Sequence, residues 1–237
     1  MAMPSSGSRA IEIKAVTIDV EIGRGRTLSS LRLLEDACMH VNRGEHVALS
    51  GPSGSGKTTL LQAIAGILPT RSEAKGEIFV GATRVLPSGR RETEELRATR
   101  LGYVAQHPAV FGRLTVAENV GYASRLLGRK VDRSAIALAL EQAGLRIDPD
   151  RVAAGLSGGE QKRLALASAL LGPTAPEVLL LDEPTAGLHV EDRAGLNDLL
   201  SRLAAQGTAV LVATHEDTSA QRRIAMADGH ILRSSGA

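Results

Sequence analysis

The stretch Gly51-Pro52-Ser53-Gly54-Ser55-Gly56-Lys57-Thr58-Thr59 follows a short apolar run, His46–Ser50, and precedes a segment of helical spacing, Leu60–Ala65. Strand, glycine-rich loop and helix form the context that the pattern G-x-x-x-x-G-K-[ST] requires. Glycines allow a tight turn that points successive backbone N–H groups inward, and the helix N-terminus adds its positive end. Lys57 supplies a charge for the terminal phosphates, and Thr58 supplies a hydroxyl for Mg²⁺. The sequence therefore predicts a nucleoside triphosphate site rather than a flexible linker.

The composition fits a globular protein with one core and room for an inserted lobe: 237 residues, 43% hydrophobic and 23% charged. No apolar run reaches the roughly 18 residues needed to span a bilayer, so we expect a soluble chain. Residues 1–10 lack an apolar signal-peptide region and are predicted to form a disordered tail. The single cysteine, Cys38, excludes an internal disulfide and is expected to be a small core residue in a reducing cytosol. A net charge of +2 and only four aromatic side chains argue against a nucleic-acid partner.

Short apolar strands alternate with helical segments along most of the chain. Val178–Leu181 and Ala209–Ala213 are apolar throughout, which indicates a parallel sheet covered on both faces. Residues 11–20 alternate with one slip, as in a bulged antiparallel strand, so we expect a smaller antiparallel sheet beside the parallel one. Residues 106–171 are predicted to form an inserted helical lobe within a single domain of residues 11–235. The mixed-charge run Pro87–Arg100 is predicted to be a solvated surface segment.

Two acids, Asp182 and Glu183, follow the apolar run Val178–Leu181. The carboxyl end of a buried strand is where ligands of open α/β sheets bind. An Asp there can hold Mg²⁺, and the next carboxylate can accept a proton from an attacking water. Alone, such a pair is more often a solvated strand end; together with the phosphate loop it predicts phosphate chemistry.

A second anion-binding helix start is predicted at Leu156-Ser157-Gly158-Gly159-Glu160-Gln161-Lys162-Arg163. Ser157 is a good N-cap, and Gly158 and Gly159 allow a ligand to approach the backbone closely. One chain rarely needs two such starts around a single triphosphate. The economical explanation is that this one completes the nucleotide site of a partner subunit, although in isolation it would be an ordinary capped helix.

Five motifs in this order closely resemble those of the ATP-binding cassette (ABC) ATPases, over essentially residues 11–235. Besides the phosphate loop, they are the glutamine-loop position Gln106, the signature motif at Leu156–Arg163, the Walker B strand with its following Glu at Val178–Pro184, and the switch histidine His215. The resemblance implies an α/β P-loop NTPase (RecA-like) fold, with an N-terminal antiparallel β-subdomain and an inserted helical subdomain. It also implies an ATPase coupled to transmembrane transport, with ATP and Mg²⁺ as cofactors.

The resemblance further implies a role for each site residue. Gly51–Thr59 would cradle the phosphates, with Lys57 and Thr58 on phosphate and metal, and Gln106 and Asp182 would complete the metal shell. Glu183 would polarise the attacking water, and His215 would contact the γ-phosphate. The partner's Ser157, Gly158 and Gly159 would close over the nucleotide in a head-to-tail homodimer.

Partners and location follow from the same resemblance. Membrane permease subunits would dock near His107–Leu127, and the chain would lie on the cytoplasmic face of the membrane as a peripheral subunit. The segment Leu114–Val120 is loosely similar in sequence to the lipoprotein-releasing and macrolide-exporter branch of the family. The cargo and the direction of transport do not follow from the sequence.

Three positions depart from the family pattern. Val20 stands near where an aromatic side chain usually stacks on adenine, which is expected to weaken base binding by ~1–3 kcal/mol and to relax the choice between ATP and GTP. His189 replaces a common Asp that helps to link the two sites of the dimer. Ser168 replaces a common Arg in the signature helix, for which we have no physical account.

Several alternatives remain at the level of sequence. A cassette that acts mechanically on a membrane partner, as in cell division, carries the same motifs. Cytosolic cassettes that act on ribosomes or DNA usually have two cassettes or a long coiled-coil insertion, and this chain has neither. A GTPase would need an N-K-x-D motif, which is absent, and a small-molecule kinase would leave the Ser157 motif unexplained. A sensor that does not hydrolyse nucleotide would have no use for Glu183.

Overall fold

The computed structural model describes residues 9–23, 29–87, 90–126, 128–171, 176–188, 190–216 and 218–232. Its strands are β1 (Arg9–Ile22), β2 (Ser29–Asn42), β3 (His46–Ser50), β4 (Ser72–Val80), β5 (Thr83–Leu86), β6 (Leu101–Val104), β7 (Val178–Asp182), β8 (Ala209–Ala213), β9 (Arg222–Ala227) and β10 (His230–Ile231). Its α-helices are α1 (Lys57–Ala65), α2 (Arg90–Thr99), α3 (Val116–Leu126), α4 (Arg133–Gln142), α5 (Gly158–Leu170) and α6 (Val190–Ala205), with a short 3₁₀ turn at Ala153–Gly155.

Two sheets organise the chain. The larger has the order β10-β9-β3-β8-β7-β6, with β9, β3, β8, β7 and β6 parallel and β10 antiparallel to β9. The smaller is antiparallel, in the order β2-β1-β4-β5. The predicted α/β class, with a parallel core and an N-terminal antiparallel sheet, is therefore confirmed.

The larger sheet separates two hydrophobic cores, which explains why its strands are apolar throughout. Leu180 and Leu211 face a core shared with α1 and the smaller sheet. Their neighbours Leu181 and Val212 face a second core, formed with α3, α4, α5 and α6. Because successive strand residues point to opposite faces, every position of β7 and β8 is buried. Segment 106–171 holds α3, α4 and α5, which belong to this second core.

Three local expectations need correction. β1 begins at Arg9, which pairs with Asn42, so the strand starts inside the predicted tail of residues 1–10; residues 1–8 lie outside the described part of the chain. The predicted solvated run contains α2, because Leu96 is buried one turn after the buried Thr93. Cys38 is exposed rather than a core residue, and its Sγ lies 3.2 Å from the backbone nitrogen of Ala15.

Across the described residues, the structure has no helix that is both long and apolar enough to cross a membrane.

His46, at the start of β3, carries a pH-dependent cost. It is 1% exposed, and neither ring nitrogen has a hydrogen-bond partner among the described residues. Burial lowers the pKa of His46 below its ordinary value of about 6.5, so below that pH the unfolded chain binds a proton that the folded chain does not. We expect the free energy of unfolding to fall as the pH drops below about 6.5, and the substitution His46→Met to remove part of that fall.

Urea unfolding at about pH 7.5 and about pH 5.5 measures this effect. Circular dichroism is the probe, because the chain has no Trp for a fluorescence signal. Leu138→Met provides the control, because Leu138 is exposed and not titratable, and this variant should retain the parent's pH dependence. A His46→Met variant that loses as much stability on acidification as the parent would contradict the assignment. Part of the dependence should persist, because burial also lowers the pKa of His40.

Candidate functional site

Four segments of the predicted site follow the carboxyl ends of parallel strands. The phosphate loop follows β3, Gln106 follows β6, Glu183 follows β7, and His215 follows β8. In a parallel sheet these ends lie along one edge, where open α/β sheets bind their ligands.

The loop between β3 and α1 is shaped by close backbone contacts. A Cβ atom on Gly51 would lie 2.2 Å from the carbonyl oxygen of Met226, and one on Gly56 would lie 2.7 Å from that of Leu33. Gly56 also has a φ of 97°, in the left-handed region that favours glycine. It caps α1 without a side chain, so the first N–H groups of the helix are left for an anion. The buried hydroxyl of Ser55 has no hydrogen-bond partner within the described structure.

Lys57, the first residue of α1, holds its ammonium group over the same loop. The Nζ atom donates to the carbonyl oxygens of Gly51 at 2.7 Å and Pro52 at 3.0 Å, and the residue is 7% exposed. These contacts use two of the three N–H groups of the ammonium. A charge fixed at this point suits the terminal phosphates of a nucleotide.

Asp182, the last residue of β7, has the chemistry of a magnesium ligand. It is 2% exposed, and burial raises the pKa of its carboxyl group, although a hydrogen bond with Thr58 and the nearby Lys57 oppose that rise. Its Oδ1 atom has no hydrogen-bond partner in the described part of the chain. Mg²⁺ prefers oxygen ligands, usually one or two from the protein together with substrate phosphates and water. Asp182 and Thr58 fit that requirement.

Glu183 is held in an unusual backbone conformation beside His215. Its φ is 46°, a left-handed value that is uncommon for a residue with a side chain, and its N–H donates to the carbonyl of Ala213 at 2.9 Å. The Nδ1 atom of His215 lies 3.1 Å from Oε1 and 3.0 Å from Oε2 of Glu183. The Glu183 side chain is 11% exposed and that of His215 is 64% exposed. The carboxylate of Glu183 is therefore largely buried, and its orientation is fixed by the imidazole of His215, which is exposed to solvent.

Ser157, Gly158 and Gly159 lie at the start of α5, in a different cleft. Ser157 caps the helix: its hydroxyl accepts from the N–H of Glu160 at 3.3 Å, and its own N–H donates to the Glu160 carboxylate at 2.7 Å. With Gln106 and the loop 186–188, these residues line a cleft of about 680 Å³ that does not include Lys57. A Cβ atom on Gly158 would meet nothing within 4 Å, so contacts within the described chain do not require glycine there.

Two of the remaining predicted positions, Val20 and Ser168, belong to the part of the chain that the structure describes. Val20 is half-buried in β1, paired with Leu31 and Ser72, and no contact described above joins it to Lys57. Ser168 donates to the carbonyl of Leu164 at 3.0 Å, and nothing in the structure explains why Ser stands there. His189 lies outside the described residues.

The structure adds one side chain to which sequence reasoning gave no role. Lys162 of α5 donates to the carbonyl oxygen of Glu183 at 3.0 Å and also to that of Ala186. Burial lowers the pKa of Lys162, while the carboxylates of Glu183 and Glu216 oppose that effect. Its position within the predicted helix start is the only signal in the sequence.

Comparisons with known proteins agree with this geometry. A family model described as ABC transporter matches residues 34–186. The cell division ATP-binding protein FtsE of Mycobacterium tuberculosis is 35% identical over 206 residues, which cover 84% of this chain and 87% of that protein. The sulfate/thiosulfate import ATP-binding protein CysA of Bordetella parapertussis is 37% identical over 223 residues, 90% of this chain but only 58% of that relative.

A solved structure shares the fold over nearly the whole chain. It is the dimeric post-hydrolysis state of the ATP-binding cassette MJ0796 bound to ADP and Pi, with a TM-score of 0.83 and 28% identity. The match covers 95% of this chain and 98% of that one. This chain therefore resembles that cassette in both sequence and fold over nearly its whole length.

Proposed function

The chain belongs to the ABC transporter family of ATP-binding cassettes, and from this premise we propose that it is the ATP-hydrolysing subunit that powers a separate membrane permease. The observation that carries the proposal is the grouping of Lys57, Thr58, Asp182, Glu183 and His215 at one sheet edge. The chain spans only part of the length of some relatives, such as 58% of CysA. Its full activity and its partners are therefore proposed and not taken over from those proteins.

We assign the following roles in hydrolysis to the backbone and side-chain groups of this site. The backbone N–H groups of Gly51–Thr59 and the Lys57 ammonium bind the phosphates. Thr58, Asp182 and Gln106 would hold Mg²⁺, which would supply positive charge to offset that of the phosphates. Glu183 orients the attacking water and accepts its proton, and His215 fixes the Glu183 carboxylate and reaches the γ-phosphate.

The proposal places a second copy of the chain opposite the first. Ser157–Gly159 line a cleft apart from Lys57, so a single chain leaves their helix start unused. The open space at Gly158 supports close approach by a group from outside the chain. The matched cassette MJ0796 was solved as a dimer. A head-to-tail dimer would bring each chain's Ser157–Gly159 onto the nucleotide of its partner.

The permease is proposed to dock near His107–Leu127, on a groove of about 440 Å³ between β6, α3 and α5. Of the four Phe and Tyr residues of the chain, Tyr103, Phe111 and Tyr122 line this groove. The rings of Phe111 and Tyr122 lie 4.3 Å apart, and Phe111 is 43% exposed. An exposed Phe111 packed against a half-buried Tyr122 in a concave surface suits the apolar side of a short helix from a membrane subunit.

This docking proposal predicts that Phe111→Asp separates ATP hydrolysis from partner binding. Placing a carboxylate at an apolar anchor should lower recovery of the complex about tenfold or more. Because Phe111 lies away from Lys57, basal hydrolysis should stay within about twofold of the parent. The measurement is co-purification with any membrane protein that a neighbouring gene encodes, co-expressed and extracted in detergent, together with the basal hydrolysis rate.

Leu138→Asp is the matched control, because Leu138 is exposed on α4 and does not line the groove. It should leave recovery of the complex unchanged. Equal recovery of the Phe111→Asp and parent complexes would refute docking at this groove. If the parent binds no membrane protein at all, the proposed transport function fails as a whole.

The match to FtsE supports a second candidate, a cassette that drives mechanical change in a membrane partner without transport. Both candidates use the same nucleotide chemistry and a position on the cytoplasmic face of the membrane. Reconstitution of the complex in liposomes separates them, since only a transporter moves a solute when ATP is supplied. The finer assignment to the lipoprotein-releasing and macrolide-exporter branch stays a prediction, because FtsE and CysA carry other names.

A further inference from the structure

Lys162 connects the start of α5 to the backbone that carries Glu183. It lies three residues after Gly159, and its ammonium reaches the carbonyl oxygens of both Glu183 and Ala186. These two carbonyls mark the ends of a turn, in which the N–H of Ala186 also donates to the Glu183 carbonyl at 3.3 Å. A single side chain of α5 therefore holds both ends of the turn that follows β7.

This turn needs an external hold because of its conformation. Glu183 adopts a φ of 46°, a left-handed conformation that is unfavourable for an L-residue with a side chain. Such conformations persist where surrounding contacts determine them. The Glu183 N–H is fixed by Ala213, and its carbonyl is fixed by Ala186 and Lys162. A change in the ammonium contact therefore acts directly on the residue whose carboxylate faces His215.

A second cation supports the same loop from another helix. Arg193 of α6 donates to the carbonyl of Leu188 at 2.9 Å and lies 2.8 Å from the carboxylate of Glu216, the residue after His215. The carboxylate of Glu216 also favours the charged form of Lys162, which opposes the lowering of the Lys162 pKa by burial. Cations from α5 and α6 thus hold the loop 183–188, and both are near the carboxylate of Glu216.

In a purely structural role, Lys162 would serve only to donate hydrogen bonds to two carbonyl oxygens. Half-burying an ammonium group is a costly way to do that, since desolvation opposes the charge. Its neighbour Arg163 shows what an ordinary packing contact of α5 looks like: it donates to the carbonyl of Ala143 and pairs with Asp192, away from Glu183.

We propose that Lys162 is a positioning residue for hydrolysis, which sets the orientation of the Glu183 carboxylate by holding the turn 183–186 to the start of α5. The inference rests on the proposed function of Glu183 and adds a physical link between two motifs of one chain. Movement of the Ser157–Gly159 helix start, which faces the partner's nucleotide in the proposed dimer, is transmitted through this ammonium to the chain's own catalytic carboxylate.

The test compares Lys162→Met, Lys162→Arg and Arg133→Met in the full chain, with kcat and KM for ATP hydrolysis and the melting temperature as readouts. Met keeps the length and packing of the lysine stem but donates no hydrogen bond. We expect Lys162→Met to lower kcat about tenfold or more, because small displacements of a catalytic group are costly, with KM changed less than about twofold. Lys162→Arg, which can still donate to both carbonyls, should recover kcat to within about threefold of the parent.

Arg133→Met, which removes an exposed cation of α4 that pairs with Asp150, should leave kcat near that of the parent. The inference is overturned if Lys162→Met changes KM alone, if Arg does not restore kcat, or if Arg133→Met costs as much. Glu183→Gln in the same series distinguishes failure of the role of Lys162 from failure of the proposed function. A parent-like rate for Glu183→Gln defeats the proposed function itself. Loss of hydrolysis in Glu183→Gln with a parent-like Lys162→Met defeats only the role of Lys162.

Discussion

Replacement of Glu183 by Gln should reduce ATP hydrolysis by about a hundredfold or more while ATP binding is retained. The amide occupies nearly the same space as the carboxylate and can still contact His215, but it cannot accept a proton from water. Glu183 is largely buried, so bulk solvent offers no substitute base at that position. A nucleotide that binds and is not cleaved should keep two chains closed on each other.

The result is measured as phosphate release, and as dimer formation by size-exclusion chromatography with ATP and Mg²⁺. Glu177→Gln is the control, because Glu177 precedes the opposite end of β7 and pairs with Arg43, far along the strand from Glu183. It should hydrolyse ATP like the parent. Hydrolysis by Glu183→Gln at the parent rate would remove Glu183 from the role of base.

Asp182→Asn should give a protein that is more stable than the parent and yet inactive. Burial raises the pKa of Asp182, which means that the folded chain disfavours the ionised form at neutral pH. A neutral amide removes that cost while its carbonyl still accepts the hydrogen bond of Thr58. The same change weakens a magnesium ligand, so Mg²⁺-dependent hydrolysis should fall by at least about a hundredfold.

Thermal unfolding and a titration of hydrolysis against Mg²⁺ check the two halves of this prediction separately. Asp198→Asn, on the exposed side of α6, should change neither the melting temperature nor the hydrolysis rate. A lower melting temperature for Asp182→Asn would show that the buried charge is stabilised rather than costly. An unchanged response to Mg²⁺ would remove Asp182 from the metal site.

The sequence predicted the grouping of those residues that stand at the carboxyl ends of parallel strands. For such residues, the position along the strand determines the position at the sheet edge. Asp182 and His215 each follow a buried apolar strand, and parallel strands end at one edge, so their grouping required no knowledge of side-chain packing. The same logic placed the phosphate loop after β3. Fold class followed from strands that are apolar on both faces, which only a doubly covered sheet explains.

Other features depend on contacts that no periodic pattern encodes. Which carbonyl a lysine reaches depends on how α5 packs against the turn after β7, so the contacts of Lys162 were not predictable. Mixed charges concealed α2, because among its described side chains only Thr93 and Leu96 are buried. Arg97 of that helix donates to the carbonyls of Ala65 and Gly66 and so closes the end of α1, a contact between segments far apart in sequence.

The division of the molecule into two cores by one sheet has a consequence for how the protein tolerates change. Helix α1 and the smaller sheet share one core, whereas α3, α4, α5 and α6 share the other. The second core holds α5, whose start carries Ser157–Gly159 and whose Lys162 reaches the carbonyl of Glu183. A substitution that shifts α5 is therefore expected to lower hydrolysis while the packing beneath Lys57 is kept, so loss of cleavage and loss of phosphate binding can arise from different cores.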